Sequence, residues 1–81
     1  MKVIEQEIYT LDDFLETEKC PMGDHKIERL ESRELNRDKF GNLYIDFVCW
    51  HCSTKENRGK FRAIFSESET LLIVKDRLYI L

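Results

Sequence analysis

Three cysteines and one histidine are the residues of this chain whose types and spacing could do chemistry. Two residues separate Cys49 from Cys52 in the sequence Cys49-Trp50-His51-Cys52. A turn of this length aims two thiolates at one ion, and tetrahedral zinc takes two further cysteine or histidine ligands. Cys20 is the other cysteine of the chain, and His25 follows it five residues later. We therefore expect one structural Zn²⁺ ion held by Cys20, His25, Cys49 and Cys52.

Two other interpretations of these cysteines stay open. All three could be buried as small hydrophobic residues. Alternatively, Cys49 and Cys52 could form a redox dithiol, although no βαβ pattern surrounds them. Three sulfurs and one nitrogen suit zinc better than calcium or magnesium, which favours the metal site. His51 is expected to be exposed, because adjacent residues in such a turn rarely both reach the same ion.

The loops that carry these residues resemble the two metal-binding knuckles of a zinc ribbon, over about residues 20–65. In that family the first knuckle often begins Cys-Pro, as Cys20-Pro21 does here, and a β-hairpin separates it from the second. Gly23 occupies the place of the usual second cysteine, so His25 would replace that ligand two residues later. We expect Pro21 to stiffen this turn and Gly23 to permit a left-handed bend. The resemblance implies a structural zinc and a binding role, without identifying the partner.

The segment before the first knuckle predicts a short helix over about residues 11–18. Thr10 is a suitable N-cap, and two acids follow it in the first turn, where they favour the positive end of the helix dipole. Three apolar residues recur at helical spacing and give one apolar face. We expect Pro21 and Gly23 to end this helix. The apolar residues are Leu11, Phe14 and Leu15, and the acids are Asp12 and Asp13.

The segment between the two knuckles predicts a β-hairpin that turns at residues 38–42. Residues 26–37 fit either a helix or a strand, but a hairpin returns the chain directly from the first knuckle to the second. Residues 43–48 are rich in strand-forming types. Residues 59–65 alternate, with Phe61, Ala63 and Phe65 on one face and Lys60, Arg62 and Ile64 on the other.

The C-terminal segment predicts a second, tight hairpin. Two apolar runs, residues 71–74 and 78–81, flank the polar residues Lys75-Asp76-Arg77. The expected fold class is therefore small α+β, mostly antiparallel β in zinc-ribbon-like hairpins, with one short N-terminal helix. We expect a single zinc-stabilised domain over residues 1–81. It comprises a helical acidic arm (1–19), a zinc-ribbon-like core (20–65) and a C-terminal β-hairpin (66–81).

Composition excludes several classes of function. Hydrophobic residues make up 42% of the 81-residue chain and charged residues 36%, which is typical neither of disordered nor of membrane proteins. Acids interrupt the apolar residues at the start of the sequence, so no secretory signal is expected, and three cysteines fit a disulfide framework poorly. We expect a cytoplasmic protein. No nucleophile with a plausible base and no glycine-rich phosphate loop is recognisable, so we expect no enzyme activity.

An aromatic and basic cluster in and after the second knuckle is the expected partner surface. The net charge is −3, but residues 53–65 hold four bases against one acid, a local charge of +3. A protein partner is the leading hypothesis for this adaptor or regulatory module, and a nucleic acid is the alternative. No membrane contact is expected, while the apolar C-terminal strands (71–81) could pair with a second copy of the chain. The cluster consists of Trp50, Arg58, Lys60 and Arg62.

Overall fold

The computed structural model describes residues 9–79, which form one α-helix and one antiparallel sheet of five strands. This confirms the predicted small α+β, mostly β fold. No helix in the described residues is long and apolar enough to cross a membrane. Two short 3-10 helices span Trp50–Cys52 and Arg77–Tyr79. The other elements are α1 (Leu11–Thr17), β1 (Arg29–Leu30), β2 (Asn36–Arg37), β3 (Leu43–Val48), β4 (Lys60–Phe65) and β5 (Leu71–Asp76).

The sheet is arranged in the order β1-β3-β4-β5, and β2 pairs with β3 beside β1. The predicted hairpin around residues 38–42 is confirmed, because β2 and β3 flank that turn and pair antiparallel. Asp38 shapes the turn: its Oδ1 accepts the backbone N–H groups of Phe40 and Asn42, both at 2.9 Å. Gly41 adopts φ +84°, a conformation that glycine reaches without steric strain.

The hydrophobic core lies between α1 and one face of the sheet. Cross-strand pairs on that face join β3 to β4, among them Phe47 with Phe61 and Ile45 with Ala63. Phe14 of α1 is completely buried, and its ring centroid lies 5.3 Å from that of Phe47. Burying a phenylalanine side chain contributes about 1.5–3 kcal/mol. The helix therefore belongs to the same core as the sheet.

Helix α1 spans the predicted segment, but a left-handed residue ends it rather than Pro21 and Gly23. The Thr10 side chain accepts the backbone N–H of Asp13 at 3.2 Å, which makes Thr10 the N-cap. At the other end Glu18 adopts a left-handed conformation (φ 51°, ψ 31°), and its N–H bonds to the carbonyl of Phe14. This left-handed cap ends the helix before Pro21 and Gly23 are reached.

The predicted tight hairpin at Lys75-Asp76-Arg77 is wrong within the described residues. Lys75 and Asp76 continue β5 and pair with Arg62 and Phe61 of β4. The chain turns only after Asp76, whose Oδ1 accepts the N–H of Leu78 and starts the 3-10 helix Arg77–Tyr79. Backbone pairing with β4 therefore overrides the polar run as a turn signal. Residues 80 and 81, the end of the expected second strand, lie outside the described residues.

Candidate metal centre

The first knuckle, residues 20–25, is a closed loop held at its base. The N–H of Cys20 donates to the carbonyl of His25 at 2.7 Å, and Lys19 and Lys26 form an antiparallel bridge just outside it. The chain then enters β1, whose residue Arg29 pairs with Val48 at the end of β3. The first knuckle is thus anchored beside the strand end from which the second knuckle starts.

The second knuckle, residues 49–52, follows directly from β3. Cys49 is in extended conformation, and the 3-10 helix Trp50–Cys52 then turns the chain back. The N–H of Cys52 donates to the carbonyl of Cys49 at 3.3 Å, and the N–H of Ser53 donates to the carbonyl of Trp50. This tight turn presents the Cys49 and Cys52 sulfurs to the first knuckle.

The structure brings together all four predicted ligands. Their ligand atoms all lie within 4.8 Å of one another. The Sγ atoms of Cys20 and Cys52 are 3.8 Å apart, and His25 Nε2 is 3.5 Å from Cys52 Sγ. Around a tetrahedral zinc ion, two sulfurs lie about 3.8 Å apart and a sulfur and a nitrogen about 3.6 Å apart. The two measured distances match the edges of such a tetrahedron.

One edge is shorter than this tetrahedron requires. His25 Nε2 lies 3.1 Å from Cys49 Sγ, so the imidazole must move outward by about half an ångström to admit an ion at normal bond lengths. Cys20 and Cys49 are buried, whereas His25 and Cys52 are half-buried. The donor set, three sulfurs and one imidazole nitrogen, is therefore compatible with a metal ion shielded from solvent on its sulfur side.

Burial sets the protonation of the thiols when no cation is bound. The pKa of Cys20 is raised to about 12, mainly by desolvation; a backbone hydrogen bond from Met22 opposes this rise and nearby Cys49 adds to it. Burial also raises the pKa of Cys52. A thiolate in this cluster needs a positive charge to be stable, which a metal ion supplies.

Gly23 makes room for a neighbouring ring and does not form the left-handed bend that the sequence predicted. It does not adopt a positive φ, so the expected left-handed bend is wrong. Instead, a Cβ at position 23 would lie 2.6 Å from Cε1 and 2.8 Å from Nδ1 of His25. The absence of a side chain at Gly23 therefore leaves the room that the His25 ring occupies.

His51 is exposed, as predicted, and its ring packs against the ring of a ligand. The centroids of His51 and His25 are 4.1 Å apart, with 35° between the ring planes. His51 contributes no atom to the four-ligand cluster. Its position indicates that it covers the outer side of the His25 ring.

Two residues that the sequence analysis missed hold the loop after the second knuckle. Asn57 is buried, and its Oδ1 accepts the N–H groups of Thr54 and Gly59 while its Nδ2 donates to Asp76. Gly59 has φ +76°, and a Cβ there would lie 2.8 Å from the Cys49 carbonyl oxygen. Asn57 stands in a polar run, Ser53-Thr54-Lys55-Glu56-Asn57, where nothing in the sequence indicates burial.

The four predicted partner-binding residues occupy two different environments. Trp50 is 52% exposed at the tip of the second knuckle, and Arg58 and Lys60 are also exposed. Arg62 is half-buried instead. Its Nε and Nη2 donate to the two Asp46 carboxylate oxygens at 2.6 and 3.0 Å. The Asp46 carboxylate accordingly raises the pKa of Arg62.

A comparison of the chain with known protein families, curated proteins and solved structures found no match. The interpretation of the Cys20, His25, Cys49 and Cys52 cluster as a metal site therefore rests on its own geometry and chemistry.

Proposed function

We propose that this chain is a small non-enzymatic adaptor or regulatory module, stabilised by one structural Zn²⁺ ion and built like a zinc ribbon. The convergence of four Cys and His ligand atoms within 4.8 Å carries the proposal. Four protein ligands complete a tetrahedral zinc site and leave no position for a reactive water. The zinc would therefore support the fold rather than catalyse a reaction.

The thiol chemistry favours a metal site over a redox dithiol. Reactive cysteines have a lowered pKa and are partly exposed. Here Cys49 is completely buried, and burial raises the pKa of both Cys20 and Cys52. Such thiols are poor nucleophiles in the absence of a metal. Unpaired cysteines are also kept reduced in a cytoplasmic compartment, which is the location that we propose.

The proposed partner surface is the tip of the second knuckle, and the proposed partner is a protein. Trp50 is exposed on a turn that zinc would make rigid, and tryptophan is enriched in interface hot spots. A rigid anchor loses little conformational entropy on binding. Arg62, the fourth residue of the predicted cluster, lies opposite Asp46 in the middle of the β3–β4 ladder and is not part of this tip. This leaves Arg58 and Lys60 as the cations of the tip. A protein is therefore favoured over a nucleic acid at this surface.

The metal proposal is tested by elemental analysis of protein purified under reducing conditions without added metal. We expect about one zinc per chain. His25→Ala and His51→Ala form a matched pair, since both remove an imidazole from the same place but only His25 belongs to the cluster. Zinc affinity should fall strongly in the first variant and little in the second. A folded wild-type protein without metal, or equal effects of the two variants, would contradict the proposed site.

The partner proposal is tested by capture from nuclease-treated cytosolic extract, with Trp50→Ala as the variant. Leu35→Ala is the control, because Leu35 is a large exposed hydrophobic residue that lies outside both the second knuckle and the Trp50 surface. A protein that binds the wild type and the control but not Trp50→Ala supports the surface. If Trp50→Ala unfolds the chain, Trp50 is part of the fold and this surface is rejected.

A further inference from the structure

A groove on the sheet face opposite the core is a second candidate binding site. It has a volume of about 490 Å³, within the range of sites for drug-sized molecules. Its lining comes from the β2–β3 turn, from β3, β4 and β5, and from the C-terminal 3-10 helix. Tyr44 and Arg62 lie in its floor, because their neighbours Ile45 and Ala63 point into the core. We call it the outer-face groove.

Aromatic rings are unusually accessible in the outer-face groove. Phe40 is 76% exposed and Tyr79 is 81% exposed, and both line it. Neither ring contributes to the buried core. Large aromatic side chains normally bury their surface, so two rings left open beside one groove are a candidate platform for a planar ligand.

The groove also carries an excess of positive charge. Four cations line it, and Asp38 is the one acid among the lining residues. The Asp38 Oδ1 already accepts two backbone N–H groups of its own turn. Lys39 and Lys75 form no ion pair within the described part of the chain, whereas Arg37 lies 3.9 Å from Glu67. Lys39 Nζ lies over the Phe40 ring, 5.3 Å from its centroid, so a planar ligand must stack on the other face of that ring or displace the ammonium. An anionic ligand would find two ammonium groups without a carboxylate partner beside the aromatic rings.

Arg62 gives the groove a fixed cationic floor. Its guanidinium carbon lies 3.8 Å from the Tyr44 ring centroid, and Asp46 binds its Nε and Nη2. Its Nη1 takes part in no hydrogen bond between described residues. The guanidinium plane is thus held in place before any ligand arrives, so little side-chain freedom is lost on binding.

We propose that the outer-face groove binds single-stranded nucleic acid, with bases stacked on Phe40 and Tyr79 and phosphates against Lys39 and Lys75. Exposed aromatic rings in a cationic groove are what an unpaired strand requires, since each base offers a π-face and each linkage a negative charge. A duplex hides its base faces, and an acidic peptide offers a ring only where an aromatic residue occurs, whereas every nucleotide of a single strand offers both a base face and a charge. This site goes beyond the proposed zinc-stabilised protein-binding function and uses none of the residues at the second-knuckle tip.

The test is fluorescence anisotropy of zinc-loaded protein with labelled DNA and RNA single strands of about twelve nucleotides, long enough to cover one small binding surface. Phe40→Ala and Tyr79→Ala should each weaken binding roughly tenfold, and both positions are exposed enough to leave the fold intact. Lys39→Gln and Lys75→Gln should each lower the salt slope by about 0.7, the value for one phosphate on a single strand. Lys55→Gln, at an exposed lysine outside the groove, is the control and should change neither quantity.

Several results would overturn this inference. One is the absence of binding by the wild-type protein at about 100 μM and low salt, where even non-specific nucleic-acid binding is measurable. Others are equal affinity for a duplex of the same sequence, or equal affinity for a mononucleotide. A further one is binding that Trp50→Ala abolishes while Phe40→Ala and Tyr79→Ala leave it unchanged, which would move the contact to the second knuckle. The zinc site is tested separately by metal content, so either proposal can fail alone.

Discussion

Gly23 lies so close to His25 that a Cβ at position 23 would stand 2.6 Å from Cε1 of the imidazole. The same ring presents Nε2 to the sulfurs of Cys49 and Cys52, at 3.1 and 3.5 Å. A side chain at position 23 therefore cannot be added without displacing a ligand of the proposed metal. We therefore expect Gly23, a half-buried loop residue, to influence the affinity for the proposed metal.

We predict that Gly23→Ala weakens zinc binding about tenfold or more, because the added methyl group pushes the His25 ring away from the ion. Competition with a chromophoric chelator measures this affinity. Gly41→Ala is the matched control: its Cβ would meet nothing within 4 Å, although its φ of +84° is strained for alanine. The control should lower thermal stability by about 1 kcal/mol and leave zinc affinity unchanged. Equal zinc affinities in all three proteins would show that His25 is not a ligand.

Removal of the metal is predicted to unfold most of the chain. The two knuckles face each other through the four predicted ligand atoms, and Cys20 and Cys49 are part of the hydrophobic core. Binding free energy of a structural zinc is folding free energy, so chelation or Cys49→Ser should abolish the far-ultraviolet circular dichroism of the β-rich fold. A spectrum that stays native after complete zinc removal would show that the hydrophobic core folds the chain without the metal.

His25→Ala should be milder than Cys49→Ser. His25 is half-buried, so water can reach the position that its ring leaves. The neighbouring Asp24 is a poor replacement, because its side chain is 97% exposed and paired with Lys19 at 3.2 Å. We expect a variant that folds only at excess zinc, with affinity reduced roughly 10- to 100-fold, as titrated by circular dichroism. Unfolding at every zinc concentration would mean that the imidazole cannot be replaced.

The sequence was sufficient to predict the convergence of Cys20, His25, Cys49 and Cys52, helix α1 and the hairpin between the knuckles, because each has a local signal. Cys49 and Cys52 have metal-ligand spacing, Thr10 is a good N-cap, and residues 38–42 have turn composition. The role of Gly23 and the burial of Asn57 could not be predicted, because both depend on residues brought close by folding. The prediction of a C-terminal hairpin was wrong for the same reason, because the pairing of Lys75 with Arg62 across the sheet has no signal in the local sequence.

Zinc affinity is predicted to fall steeply with decreasing pH. Burial raises the pKa of Cys20 to about 12 and also raises that of Cys52, so these thiols hold their protons at neutral pH and zinc must displace them. Up to three thiol protons are released on binding, which gives up to about a thousandfold loss of affinity per pH unit. Chelator competition at several values between pH 6 and 8 measures this slope. A pH-independent affinity would contradict thiolate ligation.

The folding stability of the metal-free chain should depend on pH in the opposite direction and fall as the pH rises. A raised pKa means that the folded state binds the Cys20 proton more tightly than the unfolded chain does, so this proton favours folding below about pH 9. That contribution is lost as the pH rises from about 9 towards 12. Any residual structure that survives chelation should therefore melt more easily at pH 10 than at pH 8, by urea titration followed with circular dichroism. The zinc-loaded protein should lose stability on the acid side instead.

Asn57→Asp is predicted to destabilise the loop that supports the second knuckle. Asn57 Nδ2 donates to Asp76 Oδ2 at 2.8 Å, and the substitution replaces this donor with a second carboxylate at hydrogen-bond distance. Two like charges at this distance in a partly buried site repel each other, and the Asp76 carboxylate also loses its hydrogen-bond donor. We therefore expect the free energy of unfolding to fall by about 2–3 kcal/mol at pH 7. Thermal unfolding of zinc-loaded protein measures it.

Exchange of the two partners separates this repulsion from a merely local defect. In the double variant Asn57→Asp/Asp76→Asn an amide again faces a carboxylate, with donor and acceptor reversed, so the like charges are gone and the hydrogen bond can form. At pH 7, where zinc stays bound, this double variant should recover much of the stability that Asn57→Asp alone loses. If the double variant is as unstable as Asn57→Asp, Asp76 is not the group that opposes the new carboxylate.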